Sequence, residues 1–424
     1  MRQWWWVLLA LALQARSQGV GEVAARPGDW AEWRVRHVRC LGLQHTDSTV
    51  ILRELELKAG FGYSDELLAD DARAVKNTNL FARLVVSVNP DSAEEAVDIV
   101  FAVNERPRWL AYPILSPTDG LGWTWGGGLM NRNLGGMGRR LDLAVEAGRR
   151  FSYSVYLQDP WFMGRRPAVS LYHNRRQARS AAGDYDWVGS ELRVGWQQRL
   201  DRHTRLGLHP FRQEVVVHDR RAGREQVTVN PRGVDAYGGL SLSLDRNTTD
   251  FHVSPGRGGH AWAMATGLGL GGDNQPQGQL VQVSASRFAP LGPRLTVGLN
   301  LSAGLAQGRL AEYMKHYLGG RGRVRSGAGG QWPGWSLCHG SFELRAPLLP
   351  RQVYFQHIDF GLGWVAFLDG GLVWEEQFHG RRLAAGGAGL GLRLFAPFVE
   401  VGRIDAGWSP THGFNVHIAQ GHAF

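Results

Sequence analysis

The sequence predicts an all-β transmembrane barrel of about 16 antiparallel strands, preceded by one small α+β domain. Three observations support this fold class. From Trp109 onward, apolar and polar residues alternate in short segments separated by Gly, Pro, Asp and Arg. Gly contributes 57 of 424 residues, about twice its average usage, without a collagen repeat. The chain also ends in an alternating apolar segment, 414–424, and a soluble protein seldom leaves such an edge unpaired.

Residues 1–18 are interpreted as an export signal. Arg2 provides a positive charge, and residues 4–13 form an apolar run that is too short to span a bilayer. Small or polar residues follow this run, and Ala15 fits a cleavage position. No later uninterrupted apolar stretch reaches about twenty residues, so no membrane-spanning helix is predicted.

Residues 31–107 are predicted to form a compact α+β domain. The segment 33–39 alternates as a strand does, and Ser48 and Ser64 are suited to begin two helices. Two further alternating strands follow these helices before the domain ends at a proline. The predicted order is therefore strand, helix, helix, strand, strand, with the last two strands at 84–88 and 96–103.

The remaining residues, 108–424, are predicted to form the barrel. They can be divided into sixteen strand-like segments, and a tilted spanning strand needs about 9–11 residues. A soluble β-sandwich would show the same alternation, but its dry core could not hold so many Ser, Asn, Asp, Glu and Arg side chains. A water-filled lumen can hold them, while a charged residue on the lipid face costs about 2–4 kcal/mol at the midplane. The alternation therefore favours a membrane barrel.

The composition and motifs point away from catalysis and from nucleic acid. The formal net charge of +9 comes mainly from arginines that are dispersed through strands and turns, so no nucleic-acid partner is predicted. The glycine run 386–391 has the composition of a nucleotide loop, but it lies inside a strand pattern and is interpreted as close packing on the lumen wall. Cys40 and Cys338 form no metal motif. We predict no enzyme activity, no cofactor and no metal site.

Several short motifs occur along the chain in a fixed order. They lie at 51–55, 62–64, 79–81 and 104–107 in the first domain and at 133–138, 159–162, 287–291, 317–327, 342–348 and 366–371 in the barrel. Together they resemble the BamA/TamA superfamily, in which a bacterial surface antigen (D15-type) barrel follows POTRA domains. The resemblance implies a bacterial outer-membrane protein with a single POTRA domain in the periplasm. Its implied partners are the lipid bilayer, client outer-membrane or secreted polypeptides, and accessory periplasmic proteins.

The most specific of these motifs is 317–327. In the family it belongs to the sixth outward loop, which folds into the lumen and carries the pattern Val-Arg-Gly-aromatic; this chain has Val-Arg-Ser-Gly instead. We therefore predict an inward-folded loop at 308–335. Strand alternation independently places Glu343 and Asp369 on the lumen face, and arginine binds carboxylates at two points. We predict that Arg325 pairs with Asp369, with Glu343 nearby, and pins the loop inside the barrel.

One candidate for client recognition lies in the α+β domain. The strand that contains Val85, Val86 and Val88 is expected to have a free edge, on which an extended client segment could add a strand. The alternative is that this strand is an ordinary, fully paired structural element.

A second candidate is the seam of the barrel, where the first strand is expected to pair with the last. Pro113 in the first strand cannot donate a backbone hydrogen bond, so this seam is expected to open more easily than other strand pairs. In relatives that insert barrels, such a weak seam is proposed to template an incoming strand. Phe414, Gly421 and Phe424 are assigned to the last strand and to a carboxyl-terminal signal.

The sequence thus favours a protein that assists insertion, assembly or translocation of client polypeptides at the outer membrane. Two alternatives remain open. The protein could be a passive pore or structural envelope protein that keeps the fold, or a secretion pore for one dedicated partner, as in two-partner systems. The single POTRA domain and the short outward loops leave all three interpretations possible.

Overall fold

The computed structural model describes residues 23–24, 30, 33–118, 122–148, 151–164, 167–179, 185–218, 227–354, 358–396 and 400–424. The predicted export signal, 1–18, lies outside these residues. The chain divides into two compact units, which are treated separately below. The first unit comprises Met1–Pro107, Gly135–Met137 and Pro350–Gly361, and the second comprises Arg108–Leu134, Gly138–Leu349 and Leu362–Phe424.

The first unit contains a four-stranded sheet and two helices. Its strands are β1 (Val23–Ala24), β2 (Arg34–Leu41), β3 (Phe81–Asp91) and β4 (Ala96–Glu105), and they pair in the order β1, β3, β4, β2. Except for the short β1, the elements follow the predicted order of strand, helix, helix, strand, strand. The two helices between β2 and β3 are α1 (Thr49–Leu52) and α2 (Asp65–Asn77).

Helix α2 begins where the sequence predicts it. The Ser64 hydroxyl oxygen accepts a hydrogen bond from the backbone amide of Leu67 at 3.3 Å, which satisfies one of the free donors of the first turn. The helix buries Leu68 and Val75 in the core of the unit. This core also contains Val86 of β3, so the helix packs on one face of the sheet. Among the described residues, no helix is long and apolar enough to cross a membrane.

The edge of β3 differs from the expectation. Strand β1 pairs with β3 in parallel, with Val23 opposite Val86 and Ala24 opposite Ser87. The backbone edge is therefore not free at Val86, contrary to the sequence-based expectation. The side chains of Val86 and Val88 are buried in the core, while Val85 is partly buried. Alternation alone could not predict β1, because two residues are too few to show a period.

From Trp109 onward, sixteen of the described strands form one sheet, and the described pairings between its neighbouring strands are antiparallel. In the order of the sheet, the strands are β5 (Trp109–Thr118), β6 (Gly122–Leu134), β7 (Arg139–Ala147), β8 (Ser152–Asp159), β9 (Pro167–Arg179), β10 (Asp186–Arg199), β11 (Thr204–His218), β12 (Val234–Asn247), β13 (Gly258–Leu270), β14 (Gln277–Pro290), β15 (Thr296–Arg309), β18 (Ser336–Tyr354), β19 (Ile358–Trp374), β20 (Arg382–Ala396), β21 (Glu400–Ser409) and β22 (Gly413–Gln420). Between β15 and β18, β16 (His316–Tyr317) and β17 (Pro333–Gly334) form a separate two-stranded ribbon.

The two faces of this sheet differ in the way that the alternation predicts. Leu242, Leu301 and Leu368 are 52%, 68% and 58% exposed, as expected of side chains that contact lipid. Their polar neighbours Asn300 and Asp369 are 3% and 6% exposed. The predicted arrangement, with apolar residues outside and polar residues inside, is therefore confirmed.

Polar side chains on the inner face are hydrogen-bonded to one another. Between β14 and β15, the Asn300 amide donates to the hydroxyl oxygens of Ser284 and Ser286 at 2.9 and 3.0 Å. The Ser302 hydroxyl donates to that of Ser284 at 2.8 Å. These bonds satisfy polar groups that a dry core would leave unpaired.

A proline in the middle of the sheet lies at an interruption of the strand pairing. Pro210 of β11 pairs with Leu240 of β12. On its other side, the pairing with β10 passes from Phe211 directly to Leu208, so Pro210 has no partner there. This position suits proline, which has no amide hydrogen to donate.

The carboxyl terminus corrects the expectation of a single strand at 414–424. Strand β22 ends at Gln420, and Gly421 has a φ of 79°, a left-handed conformation that favours glycine. Phe424 then contacts Phe288 of β14, which is six strands away from β22 in the sheet order, so the sheet curves around a shared interior. Phe424 therefore lies inside and not at the seam. No pairing between β5 and β22 is present among the described strands, which are the two ends of the sheet.

Candidate functional site

The loop between β15 and β18 packs against the inner face of the sheet. It contains a short 3-10 helix, Glu312–Met314, and the ribbon of β16 and β17. The ribbon continues inward, where the Leu318 amide donates to the Trp332 carbonyl oxygen at 3.1 Å. Leu318, Val324 and Trp332 form a buried cluster with Leu337 of β18 and Val373 of β19. Loop residues therefore share a core with the sheet.

Glycines on β20 and β21 let the loop tip approach the wall. A Cβ atom on Gly407 would lie 2.5 Å from the carbonyl oxygen of Arg325, and one on Gly387 would lie 2.4 Å from the Cβ of Ser326. Such separations are too short for a real side chain, so both positions require glycine unless the loop moves. The glycine run on β20 thus serves close packing, as its position inside a strand pattern predicts.

Arg325 lies at the centre of a buried network of charges. Its Nε and Nη2 atoms donate to the two carboxylate oxygens of Asp369, each at 2.8 Å, which is a bidentate pair. Its Nη1 atom donates to Oε1 of Glu343 at 2.5 Å, and its backbone amide donates to Asp369 at 3.0 Å. The guanidinium lies 3.6 Å from the centre of the Phe367 ring. Arg325 and Glu343 are both 0% exposed.

Three further arginines surround this pair. Arg345 donates from Nε to Glu343 at 2.6 Å, and Arg393 donates from Nη1 to Asp405 at 2.6 Å. Arg403 donates to Asp405 at 3.2 Å. The network therefore contains four guanidinium groups and three carboxylates, a formal excess of one positive charge. Because every carboxylate faces at least one arginine, removing one partner would leave a buried charge uncompensated.

The loop tip also contacts the last strand. Asn415 of β22 donates from Nδ2 to the carbonyl oxygen of Ser326 at 2.5 Å. The Nε2 atom of His417 lies 3.0 Å from the carbonyl oxygens of both Arg325 and Gly327. Side chains of β22 that face inward thus contact three successive carbonyl groups of the loop.

An aromatic ring packs at the position where the family pattern has its aromatic residue. Gly327 occupies that position in this chain, and a Cβ on it would lie 2.4 Å from the Trp332 ring. Trp332 comes from the returning side of the same loop and is 8% exposed. The loop therefore keeps a ring beside its tip, although the ring comes from a different residue.

The structure brings together only part of the predicted set. Arg325, Asp369 and Glu343 are in direct contact, with the geometry described above. Val85, Val86 and Val88 lie in the first unit, Pro113 lies in β5 at one end of the sheet, and Phe414 faces outward at 65% exposed. Gly421 forms the turn after β22, and Phe424 lies inside.

Sequence reasoning did not assign Arg393, Arg403 and Asp405 to the network. Strand alternation indicated that these charges face inward, because Asp405 follows the outward-facing Ile404 and Arg393 follows the outward-facing Leu392. Alternation places these charges on the inner face, but it does not indicate which of the inner charges meet.

The fold and this site define a class of protein. A 16-stranded sheet with an apolar outer face, an inserted loop and a preceding α+β unit is the architecture of an outer-membrane barrel protein. Residues 133–416 match the Omp85 superfamily domain, and residues 33–106 match the POTRA domain described as the surface antigen variable number repeat. The first match covers more than half of the chain, so the protein belongs to the Omp85 superfamily. Its barrel lies in the bacterial outer membrane, and its POTRA domain lies in the periplasm.

One curated relative has a similar sequence over a short region. A putative outer membrane protein assembly factor from Treponema pallidum (strain Nichols) is 38% identical over 72 residues. These residues are 17% of this chain and 9% of the relative, so the chain matches only a small part of that protein's length.

Solved structures show the same fold at low sequence identity. CdiB from Escherichia coli has a TM-score of 0.65 and 16% identity, covering 92% of this chain and 76% of its own. BamA from Haemophilus ducreyi, lacking POTRA domains 1–3, has a TM-score of 0.55 and 18% identity, covering 92% of this chain and 83% of its own. The predicted fold class is therefore confirmed: a transmembrane barrel of about 16 strands that follows one POTRA domain.

Proposed function

We propose that this protein assists the insertion, assembly or translocation of client polypeptides at the outer membrane, without enzymatic chemistry. The observation that carries this proposal concerns β5 and β22, which form the two ends of the described sheet and show no pairing with each other among the described strands, beside a loop that is anchored inside by Arg325. An unpaired strand offers backbone donors and acceptors to an incoming strand. The curated relative that is similar over 72 residues is described as a putative outer membrane protein assembly factor, and this description supports the same proposal.

The α+β domain supplies a second contact for a client in this proposal. Among the described residues, β1 pairs with Val86 and Ser87 of β3, which are a small part of this 11-residue strand. A longer extended segment of a client would displace β1 and pair along the strand that contains Val85, Val86 and Val88. Because Val86 and Val88 are buried, the recognition would use the backbone and not these side chains.

The experiment that tests the function is depletion of the protein, followed by quantitative proteomics of the outer membrane. Several barrel proteins should decrease together, and wild-type protein supplied in trans should restore them. Arg325→Ala should fail to restore them at normal abundance, because truncating one partner of a buried charge network costs about 3–5 kcal/mol. Arg294→Ala is the matched control, since Arg294 is exposed in the turn between β14 and β15.

Other outcomes would favour the alternatives. An unchanged outer-membrane protein profile after depletion would contradict the proposal. Loss of one secreted polypeptide with normal barrel proteins would instead identify a dedicated secretion pore. Ion conductance of the purified Arg325→Ala protein, with no effect on any client, would identify a passive pore.

A further inference from the structure

We propose that the inserted loop and the carboxyl-terminal strand form one latch. In this latch, the loop tip and β22 hold each other in place, so that neither can leave its position without weakening the other. The inference concerns the protein's own motion and goes beyond the proposed function, because it requires no client.

The first point of the latch is the middle of β22. Asn415 and His417 face inward and contact the carbonyl oxygens of Arg325, Ser326 and Gly327. These side chains come from an end strand, which is paired on one side with β21 and has no pairing with β5 among the described strands. An end strand with one neighbour is the easiest strand of a sheet to detach. The loop therefore holds β22 through its inward-facing side chains, in addition to the backbone pairing with β21.

The second point is the tail after β22. Beyond the turn at Gly421, the Phe424 ring stacks on Phe288 with the two centroids 6.0 Å apart. The Arg345 guanidinium lies 4.9 Å from both ring centroids, so one cation contacts two rings. A Cβ on Gly298 would lie 3.3 Å from the Phe424 ring, which shows how closely the ring fits the wall.

The tail residue His422 adds a polar contact. Its Nε2 atom lies 2.7 Å from the carbonyl oxygen of Val253, in the connection between β12 and β13. The tail is thus held by an aromatic contact, a cation and a hydrogen bond.

One carboxylate joins the two points. Glu343 accepts from Arg345 through Oε2 at 2.6 Å and from Arg325 through Oε1 at 2.5 Å. Arg345 contacts Phe424 of the tail, and Arg325 is the tip of the loop. Withdrawal of the loop would leave Glu343 with fewer positive neighbours and would remove the acceptors of Asn415 and His417. The anchor in the middle of β22 therefore depends directly on the seated loop, and the anchor at the tail is linked to the loop through Glu343.

Cysteine labelling of the purified full-length protein tests the latch. The background carries Cys40→Ser and Cys338→Ser, and Ser326→Cys serves as the reporter, because Ser326 is 0% exposed when the loop is seated. Phe424→Ala should increase the rate of maleimide labelling at position 326 by about tenfold, the effect expected from losing a desolvated cation–π contact. Phe424→Tyr should label as slowly as the wild type. Phe414→Ala is the matched control, since Phe414 lies on the outer face of the same strand.

The reverse experiment changes the loop and measures the exposure of the tail. With the reporter moved to the tail as Ala423→Cys, Arg325→Ala should increase its labelling by a similar factor, because a coupling free energy is reciprocal. Asn415→Ala provides a second perturbation of β22 that leaves the terminal residue intact. Heat-dependent gel mobility checks that each variant keeps a folded barrel. The latch is refuted if Phe424→Ala and Asn415→Ala both leave labelling at position 326 within about twofold of wild type, while Arg325→Ala accelerates it.

Discussion

Single glycines decide how closely the inserted loop can approach the wall of the sheet. Gly387 faces Ser326, and Gly407 faces the carbonyl oxygen of Arg325, at separations that no added Cβ could keep. The bidentate geometry of Arg325 on Asp369 depends on this close approach, because the carboxylate belongs to the wall and the guanidinium to the loop. The charge network is therefore positioned by residues that carry no charge.

The close approach of the loop tip to Gly387 predicts what a larger side chain at this position would do. Gly387→Val should push the loop tip outward and destabilise its seated position by about 1–3 kcal/mol, the usual cost of overpacking. Labelling of a cysteine at position 326 measures the displacement. Gly267→Val is the control, because nothing lies within 4 Å of a Cβ at Gly267 of β13. Equal labelling in both variants would show that Gly387 does not limit the loop.

At the scale of single residues, the Arg325 pair was predictable from the sequence, whereas the rest of the network was not. Alternation fixes which side of a strand a charge faces, and arginine chemistry indicates a carboxylate partner. The meeting of Arg393 with Asp405 depends on strand register, which alternation does not determine. The role of Trp332 beside Gly327 depends on the path of the loop, which no local pattern encodes.

At the scale of elements, helix α2 of the POTRA domain contains a lysine in an unfavourable environment. Burial lowers the pKa of Lys76 to about 8, and the positive charge of nearby Arg106 acts in the same direction. Its ammonium group donates to the carbonyl oxygen of Ala82 at 3.0 Å. The helix therefore accepts a partly desolvated cation at its last turn, where the helix dipole favours positive charge.

The shift of Lys76 gives a pH dependence with a defined sign. An unfolded lysine keeps its proton up to about pH 10.4, so between this value and the folded pKa of about 8 the unfolded chain binds more protons. The free energy of unfolding of the domain should therefore rise with pH across this window. Lys76→Met should remove the rise, and Lys58→Met, at an exposed position, should retain it. Pulse proteolysis of the full-length protein in urea measures the free energy of unfolding of both variants across this pH range. An unchanged rise in Lys76→Met would show that Lys76 does not cause the pH dependence.

The last strand shows what a periodic pattern can and cannot predict. The outward face of β22 was predictable, because Phe414, Val416 and Ile418 alternate with smaller or polar residues. The end of the strand at Gln420 was not, since His422 and Phe424 continue an alternation by composition. Gly421 ends the strand through its left-handed conformation, and glycine occurs inside other strands of this sheet as well. A single glycine was therefore an ambiguous signal.

At the scale of the whole molecule, the sheet has two ends, β5 and β22, and they are held differently. Strand β22 is anchored by the loop and by its own tail. Strand β5 contains Pro113 and Pro117, which have no amide hydrogen to donate. The number of strands and their order could be predicted from the sequence, because consecutive hairpins leave few alternatives. The absence of pairing between the two described ends could not, because it depends on contacts inside the barrel.

The difference between the two ends predicts that Pro113 limits the stability of the seam. Pro113 pairs with Gly127 of β6 and lies in a strand at one end of the described sheet, and edge strands are where a sheet tolerates proline. Pro113→Val would supply a donor at that edge, and a net hydrogen bond contributes about 1 kcal/mol. If clients enter at this seam, the variant should slow assembly of a reporter barrel in liposomes by about fivefold. Hydrogen exchange of β5 amides should slow in parallel, because the seam closes more tightly.

The control for this substitution lies in the same sheet, away from its ends. Pro210→Val also replaces a strand proline, but β11 has neighbours on both sides and Pro210 lies at an interruption of its pairing with β10. Pro210→Val should therefore leave the assembly rate near that of the wild type. If hydrogen exchange in β5 of Pro113→Val is slower and the assembly rate is unchanged, the new donor stabilises the seam. Clients then do not enter at this seam. Unchanged exchange in β5 would instead show that Pro113 does not weaken the seam.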